Sequence, residues 1–134
     1  MTPTELLDVL WRDYTALAPQ ALRIHALLAA RGERVVNDHI ALRTYATPGL
    51  GLEAMSRPFE ALGWRVRDEY RFADKHLRAR YWQHPEPGVP KIFISELELT
   101  ALSAEAQGLV AGLVAQLPAG FTARADLPWA GRPW

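Results

Sequence analysis

His39 and Arg43 are the two side chains whose types and spacing best suit a chemical role in this sequence. They lie four residues apart in residues 37–45, a segment whose alternating pattern predicts a β-strand. Side chains four apart on a strand share a face and are separated by about 13 Å at ~3.3 Å per residue. A neutral imidazole binds iron or another divalent metal, and a guanidinium holds a carboxylate through two hydrogen bonds. A metal ligand and a carboxylate-binding residue on one inner face are what a site for a 2-oxo acid would require.

A structural explanation for the same two residues stays open at this point. His39 would then be a partly buried histidine bonded to the backbone, and Arg43 would belong to a surface ion pair. The spacing alone does not decide between the two interpretations, because a histidine and an arginine four residues apart are common and unspecific.

Glu96 is the other candidate, because it lies in the middle of an otherwise apolar strand predicted for residues 91–99. A carboxylate buried there needs a metal or a cation as its partner. The alternative is that Glu96 and Glu98 lie on a face that is solvated at that end of the strand. Glu96 is therefore a possible metal ligand, but only under the condition described below for a dimeric site.

The overall composition excludes several functional classes. Lys plus Arg and Asp plus Glu each total 15, so the chain lacks the basic excess that nucleic-acid binding requires. Without cysteine there is no disulfide, zinc–thiolate site, iron–sulfur cluster or cysteine nucleophile. Neither a membrane span nor a secretory signal is apparent, so the cytoplasm is the expected compartment.

The order of the predicted elements indicates one α+β domain over residues 1–134. Two helices are expected within residues 2–31, a βαβββ unit within 36–99, a helix over 102–117 and an irregular tail over 118–134. The βαβββ unit is the module from which glyoxalase-like and extradiol dioxygenase-like proteins are built. Two such modules normally face each other and enclose a metal, although the fold alone does not establish chemistry.

Three ordered segments resemble one family. Residues 37–45 read N-D-H-I-A-L-R-T-Y and are similar to its N-D-H-I-A-L-R-T-F signature. Residues 72–79 match its F-x-x-K-x-L-x-A pattern, and residues 90–97 match P-x-I-F-I-S-E-L. The family is the 2-oxoadipate dioxygenase/decarboxylase (hydroxyglutarate synthase) family of the glyoxalase-like, or vicinal oxygen chelate, superfamily. The resemblance extends from about residue 19 to residue 134.

The resemblance implies a function and a set of site residues. It implies a mononuclear Fe(II) centre held by two histidines and one glutamate, which converts 2-oxoadipate and O2 to 2-hydroxyglutarate and CO2 in lysine catabolism. His39 matches the first histidine ligand, and Arg43 matches the arginine that binds the substrate carboxylate. Glu96 lies in a shared motif, but it does not match the glutamate ligand of the family.

The same resemblance implies that part of the metal site lies outside this sequence. In the family, the second histidine and the glutamate come from a second module, and no N-H-x-T-like segment occurs here. We therefore expect an incomplete N-terminal module that needs a second module or a homodimer partner. The chain would be inactive alone, and it would supply one of three ligands.

Two other hypotheses stay open. In the first, a homodimeric metalloenzyme places two copies of His39 and two of Glu96 around one metal, which requires both side chains to face the same cavity. In the second, the chain is a non-catalytic small-molecule-binding module with an aromatic cavity. The candidate lining residues of that cavity are Trp64, Tyr70, Tyr81 and Trp82. A strand predicted over residues 64–72 would place Trp64 and Tyr70 on one face.

Overall fold

The computed structural model describes residues 1–124 and 126–127. Helices α1 (Pro3–Leu17) and α2 (Gln20–Ala29) are followed by strand β1 (His39–Tyr45) and helix α3 (Leu52–Ala61). Strands β2 (Arg65–Phe72), β3 (Leu77–Gln83) and β4 (Lys91–Leu97) then lead into helix α4 (Ala104–Val114). The expected βαβββ order and the α+β class are confirmed. The predicted tail lies partly outside the described residues, which include a short 3-10 turn, Phe121–Ala123, and end at Leu127.

The four strands form one mixed sheet in the order β1-β4-β3-β2. β1 runs parallel to β4, whereas β4 and β3, and β3 and β2, are antiparallel. Helix α3 connects β1 to β2, which run in the same direction at opposite edges of the sheet, so β3 and β4 fill the space between them. The first and last strands of the module are therefore neighbours, and their side chains are matched one to one.

One face of this sheet, here called the helix face, carries the hydrophobic core. Leu42 on β1 and Ile92 and Ile94 on β4 are buried there against Met55 and Phe59 of α3. Leu6 and Leu10 of α1 belong to the same core. Helix α1 begins with a reciprocal cap, in which Thr2 accepts from the Glu5 backbone and Glu5 accepts from the Thr2 backbone.

The opposite face, here called the open face, carries the alternate residues of the same strands. On β1 and β4 these residues pair across the strands as His39 with Lys91, Ala41 with Phe93, Arg43 with Ser95 and Tyr45 with Leu97. His39, Ala41 and Arg43 are exposed, in contrast to the core residues between them. The predicted alternation of residues 39–45 between two faces is therefore confirmed.

The aromatic residues proposed to line a cavity fall into two groups. Trp64 and Trp82 are fully buried in the core, where their indole N–H groups donate to the Pro90 carbonyl and to Glu60. Tyr70 and Tyr81 are stacked on the open face with ring centroids 6.2 Å apart. The prediction that Trp64 and Tyr70 share one face is wrong, because β2 begins at residue 65 and carries a bulge between Val66 and Asp68.

Candidate metal and substrate site

His39 is the first residue of β1 and lies at the end of the open face. Its Nδ1 lies 2.8 Å from Oδ2 of Asp38. Because an ionised carboxylate only accepts hydrogen bonds, Nδ1 is assigned as the donor in this pair, which leaves Nε2 as the unprotonated nitrogen. The His39 side chain is 53% exposed. A protein surface that covered the open face would bury it.

A residue of the neighbouring strand β4, Lys91, contacts the Asp38 carboxylate. Its second oxygen, Oδ1, lies 3.2 Å from Nζ of Lys91, the residue that pairs with His39 in the parallel register. The Lys91 backbone N–H also donates to the Asp38 carbonyl. The hydrogen bond from His39 and then that from Lys91 hold the pKa of the Asp38 carboxyl below its ordinary value.

Arg43 lies two open-face positions further along β1, opposite Ser95 of β4. Its Nε donates to Oγ of Ser95 over 2.8 Å. Among the described residues, Arg43 forms no ion pair, so the surface ion pair considered as an alternative does not occur there. Within residues 1–124 and 126–127, neither terminal nitrogen of this guanidinium takes part in a side-chain hydrogen bond or ion pair.

A groove of about 720 Å³ runs between the N-terminal helices and β1. Its walls include Trp11 and Tyr14 of α1, His25 of α2, and the open-face residues His39 and Ala41. The His39 imidazole therefore borders a space large enough for a small organic acid, and it does not lie on a flat surface.

Glu96 lies on the helix face, because it pairs with Thr44 in β1 and with Arg78 in β3. Its side chain is 4% exposed. One carboxylate oxygen accepts from Nε and Nη2 of Arg78, each at 2.7 Å, and the other accepts from the Leu52 backbone at 2.8 Å. The hydrogen bond to Glu96 raises the pKa of the Arg78 guanidinium above its ordinary value.

This placement corrects the proposed dimeric site. That site required Glu96 and His39 to face the same cavity, whereas the sheet separates them and Arg78 already satisfies the carboxylate. Glu96 instead joins β4 to the first turn of α3, whose N-cap residue Gly51 offers no side chain. A Cβ at Gly51 would lie 2.8 Å from the Glu96 carboxylate, so the close approach favours glycine there.

Of the remaining histidines, His25 lines the same groove as His39, whereas His76 and His84 do not line it. His25 packs against Trp11, His76 is exposed in the β2–β3 turn, and His84 bonds to the Leu62 carbonyl. Within residues 1–124 and 126–127, no group of three or more histidine, aspartate or glutamate side chains is placed to hold a metal ion. No described helix is long and apolar enough to span a membrane.

Three residues of the site were not identified from the sequence as partners of His39 and Arg43. Asp38 and Ser95 contact them directly, and Lys91 holds Asp38. The strand predicted for residues 91–99 could have revealed Lys91 and Ser95. Side chains alternate along a strand, so these two residues lie on the face opposite to the apolar Ile92 and Ile94.

Comparison with known proteins places this arrangement in a family. The model of the 2-oxoadipate dioxygenase/decarboxylase family matches residues 5–125. The chain belongs to this family. Its relative 2-oxoadipate dioxygenase/decarboxylase from Oryza sativa, a chloroplastic and amyloplastic protein, is 33% identical over 108 residues, which cover 72% of this chain and 30% of the relative. The resemblance drawn from the three sequence segments is thereby confirmed.

Two solved structures have the same fold as this chain. The hydroxyglutarate synthase of Oryza sativa, determined in complex with 2-oxoadipate, matches 96% of the chain with a TM-score of 0.87 and 26% identity. A Shewanella frigidimarina protein, provisionally named a hydrolase, matches 98% with a TM-score of 0.89 and 36% identity. The chain covers 45% and 52% of these two structures, so it spans about half of each.

The glyoxalase-like fold is also supported by a more distant neighbour. A protein of Ralstonia eutropha assigned to the glyoxalase superfamily matches with a TM-score of 0.67 at 24% identity. This likeness concerns the fold alone. It fits the βαβββ order and the parallel pairing of β1 with β4.

Proposed function

We propose that this chain is one half of an Fe(II)-dependent 2-oxoadipate dioxygenase/decarboxylase. The whole enzyme would convert 2-oxoadipate and O2 to 2-hydroxyglutarate and CO2, as part of lysine catabolism. The observation that carries the proposal is that His39 and Arg43 lie on one open face, each fixed by a polar neighbour, Asp38 or Ser95. The rice structure in complex with 2-oxoadipate supports the choice of substrate.

The donors present fit part of an iron site. His39 would bind the metal through Nε2, because Nδ1 is engaged with Asp38, and a metal-bound histidine commonly gives its other nitrogen to a carboxylate. A bound iron would supply the redox centre for O2 and the 2-oxo acid. One imidazole holds Fe(II) weakly, so the other ligands must come from a second module.

Arg43 would orient the substrate. Its Nε is held by Ser95, so the two terminal nitrogens remain in a fixed fork that suits a carboxylate. The dicarboxylate would then be bound at one end by the metal near His39 and at the other by Arg43. Aromatic rings along the same face, including Tyr70, Tyr81 and Phe93, would exclude water from the space between.

The partners of the chain follow from the incomplete ligand set. We propose 2-oxoadipate and O2 as small-molecule partners, and a second βαβββ module, on a longer chain or a separate one, as the protein partner. A homodimer is the alternative, although it would have to find its carboxylate ligand elsewhere than Glu96. The cytoplasm remains the proposed compartment, which cell fractionation tests.

A chimera tests the activity. The chain would replace the matched region of the rice hydroxyglutarate synthase, and O2 uptake and 2-hydroxyglutarate would be measured with Fe(II) and 2-oxoadipate. We expect turnover that His39→Ala abolishes and that His76→Asn preserves, because Asn tolerates the left-handed conformation of the exposed His76. A folded, active chimera that keeps its activity after His39→Ala would overturn the proposal.

A further inference from the structure

We infer that Asp38, held in place by Lys91, is a positioning residue that selects the tautomer of His39 and so makes Nε2 its metal-binding nitrogen. This inference deepens the proposed function and rests on it for its consequence at the metal. The tautomer itself is a property of the chain that can be measured without metal or substrate.

The first step is the chemistry of a neutral imidazole. One ring nitrogen carries a proton and the other carries the lone pair that binds a metal, so the tautomer decides which nitrogen is available. The partner of one nitrogen therefore sets the role of the other. In this structure the partner of Nδ1 is the Asp38 carboxylate at 2.8 Å, which can only accept.

The second step is the position of Asp38 in the chain. It directly precedes β1, whose first residue is His39, so its side chain is not bound by the alternation that sends neighbouring strand residues to opposite faces. It can therefore reach the ring of its own neighbour. A carboxylate at position 40, on the other side of His39, would lie within the strand and would point to the helix face.

The third step is the restraint from β4. The Asp38 carboxylate is 73% exposed and would rotate freely if it had only one partner. Nζ of Lys91 lies 3.2 Å from Oδ1 and occupies the oxygen that does not contact His39. The backbone bond from the Lys91 N–H to the Asp38 carbonyl fixes the same two residues at a second point.

These contacts form a chain of three side chains, from Lys91 through Asp38 to His39. The chain crosses from β4 to β1 at the register position where Lys91 and His39 are paired. Because two of the three side chains lie at this end of the open face, a module that covers the face would shield the chain from water and strengthen it.

The test is the imidazole nitrogen spectrum of the full chain, recorded by proton–nitrogen NMR at a pH where His39 is neutral. We expect the Nδ1-protonated form of His39 to predominate. Asp38→Ala should shift the ratio of the two tautomers toward the Nε2-protonated form by roughly two- to fivefold, the range for an exposed charge-assisted pair. Asp38→Asn should restore part of the original ratio, because its amide oxygen can still accept from Nδ1.

Lys91→Met should produce a smaller shift in the same direction, because Asp38 keeps its hydrogen bond and loses its restraint. Asp74→Ala and Lys75→Met are the matched controls, since both residues are exposed in the β2–β3 turn near His76. We expect both controls to leave the His39 ratio unchanged. An unchanged ratio after Asp38→Ala, or a predominant Nε2-protonated form in the original chain, would overturn the inference.

The outcome for the metal is read separately. If Asp38→Ala changes the tautomer and His39 nevertheless binds no iron in the chimera, the inference stands and the proposed function fails. If iron binds through His39 and the tautomer does not depend on Asp38, the proposed function stands and the inference fails.

Discussion

Arg43 and Ser95 lie directly opposite each other in the parallel pairing of β1 with β4, and Nε of Arg43 donates to Oγ of Ser95 over 2.8 Å. The contact uses the guanidinium nitrogen nearest the strand and leaves the two terminal nitrogens for a ligand. The same pairing places Lys91 opposite His39. The last strand of the module thus supports both candidate site residues of the first strand.

The first prediction concerns Ser95. Ser95→Ala should weaken binding of 2-oxoadipate to the rice chimera by roughly fivefold, because the loss of one hydrogen bond to Arg43, worth about 1 kcal/mol, frees the guanidinium to rotate. Isothermal titration in the absence of O2 measures it. Ser103→Ala is the control, because Ser103 caps α4 and should change stability without changing the affinity. Equal affinities for the Ser95 variant and the original would contradict the role of Ser95.

The second prediction separates Glu96 from the metal site. Glu96→Gln should lower the free energy of unfolding by about 2–3 kcal/mol, because it weakens a buried ion pair and leaves Arg78 with only the more exposed Glu53, 3.6 Å away, as a counter-charge. Urea unfolding measures the loss. Glu98→Gln is the matched control, since Glu98 pairs with Arg71, which is largely exposed, and should cost less than about 0.5 kcal/mol.

The Glu96 variant also has an expected outcome at the metal. Because the carboxylate faces α3 on the other side of the sheet from His39, its removal should leave iron binding by the folded chimera unchanged. If a Glu96→Gln variant that remains folded loses its iron, Glu96 would again be a candidate metal ligand.

The third prediction is a pH dependence. The pKa of Asp38 is lowered in the folded chain, so its contribution to stability is present above the unfolded pKa and is lost as the pH falls through the folded pKa. Carboxyl NMR should give Asp38 a titration midpoint below the ordinary value of about 3.9. Lys91→Met should raise that midpoint, whereas Lys75→Met should not. A midpoint at or above the ordinary value would contradict the Lys91–Asp38–His39 contacts.

The fourth prediction concerns the uncovered aromatic surface. Tyr70 and Phe72 are each 40% exposed on the open face, where the Tyr70 ring also lies 6.4 Å from the ring of Phe93 in a tilted arrangement. The chain alone should self-associate through this face, because contiguous exposed apolar surface favours protein contacts. Replacing both residues by serine should weaken self-association by roughly tenfold in sedimentation experiments. Leu109→Ser, on exposed α4, is the control, and the same loss there would point to another surface.

The sequence predicted much of the fold, because its elements carry clear local patterns. The alternation in residues 39–45 placed His39 and Arg43 on one face without any knowledge of neighbouring strands. The cap at Thr2 and the glycine-rich turn before α3 likewise act locally. The bulge in β2 left no local pattern that revealed it, and therefore Trp64 was assigned to the wrong face.

The relation of Glu96 to His39 depends on which strands are neighbours and on their register, which a single sequence does not specify. On β4, Glu96 lies on the same face as the apolar Ile92 and Ile94. On β1, the apolar Leu42 lies on the face opposite to His39. Matching the two apolar faces would have placed Glu96 away from the site. Asp38 was missed for a different reason, because the strand predicted over residues 37–45 begins only at His39, so Asp38 lies outside the alternation of side chains.

The central claim is that the His39 imidazole binds the metal, and a titration of the chain with Mn(II) tests it most directly. Paramagnetic broadening of the four histidine side chains would be followed by NMR. We predict that the His39 signals broaden at a Mn(II) concentration several-fold lower than those of His25, His76 and His84. Equal broadening at His39 and the exposed His76, or stronger broadening at His76, would contradict the claim.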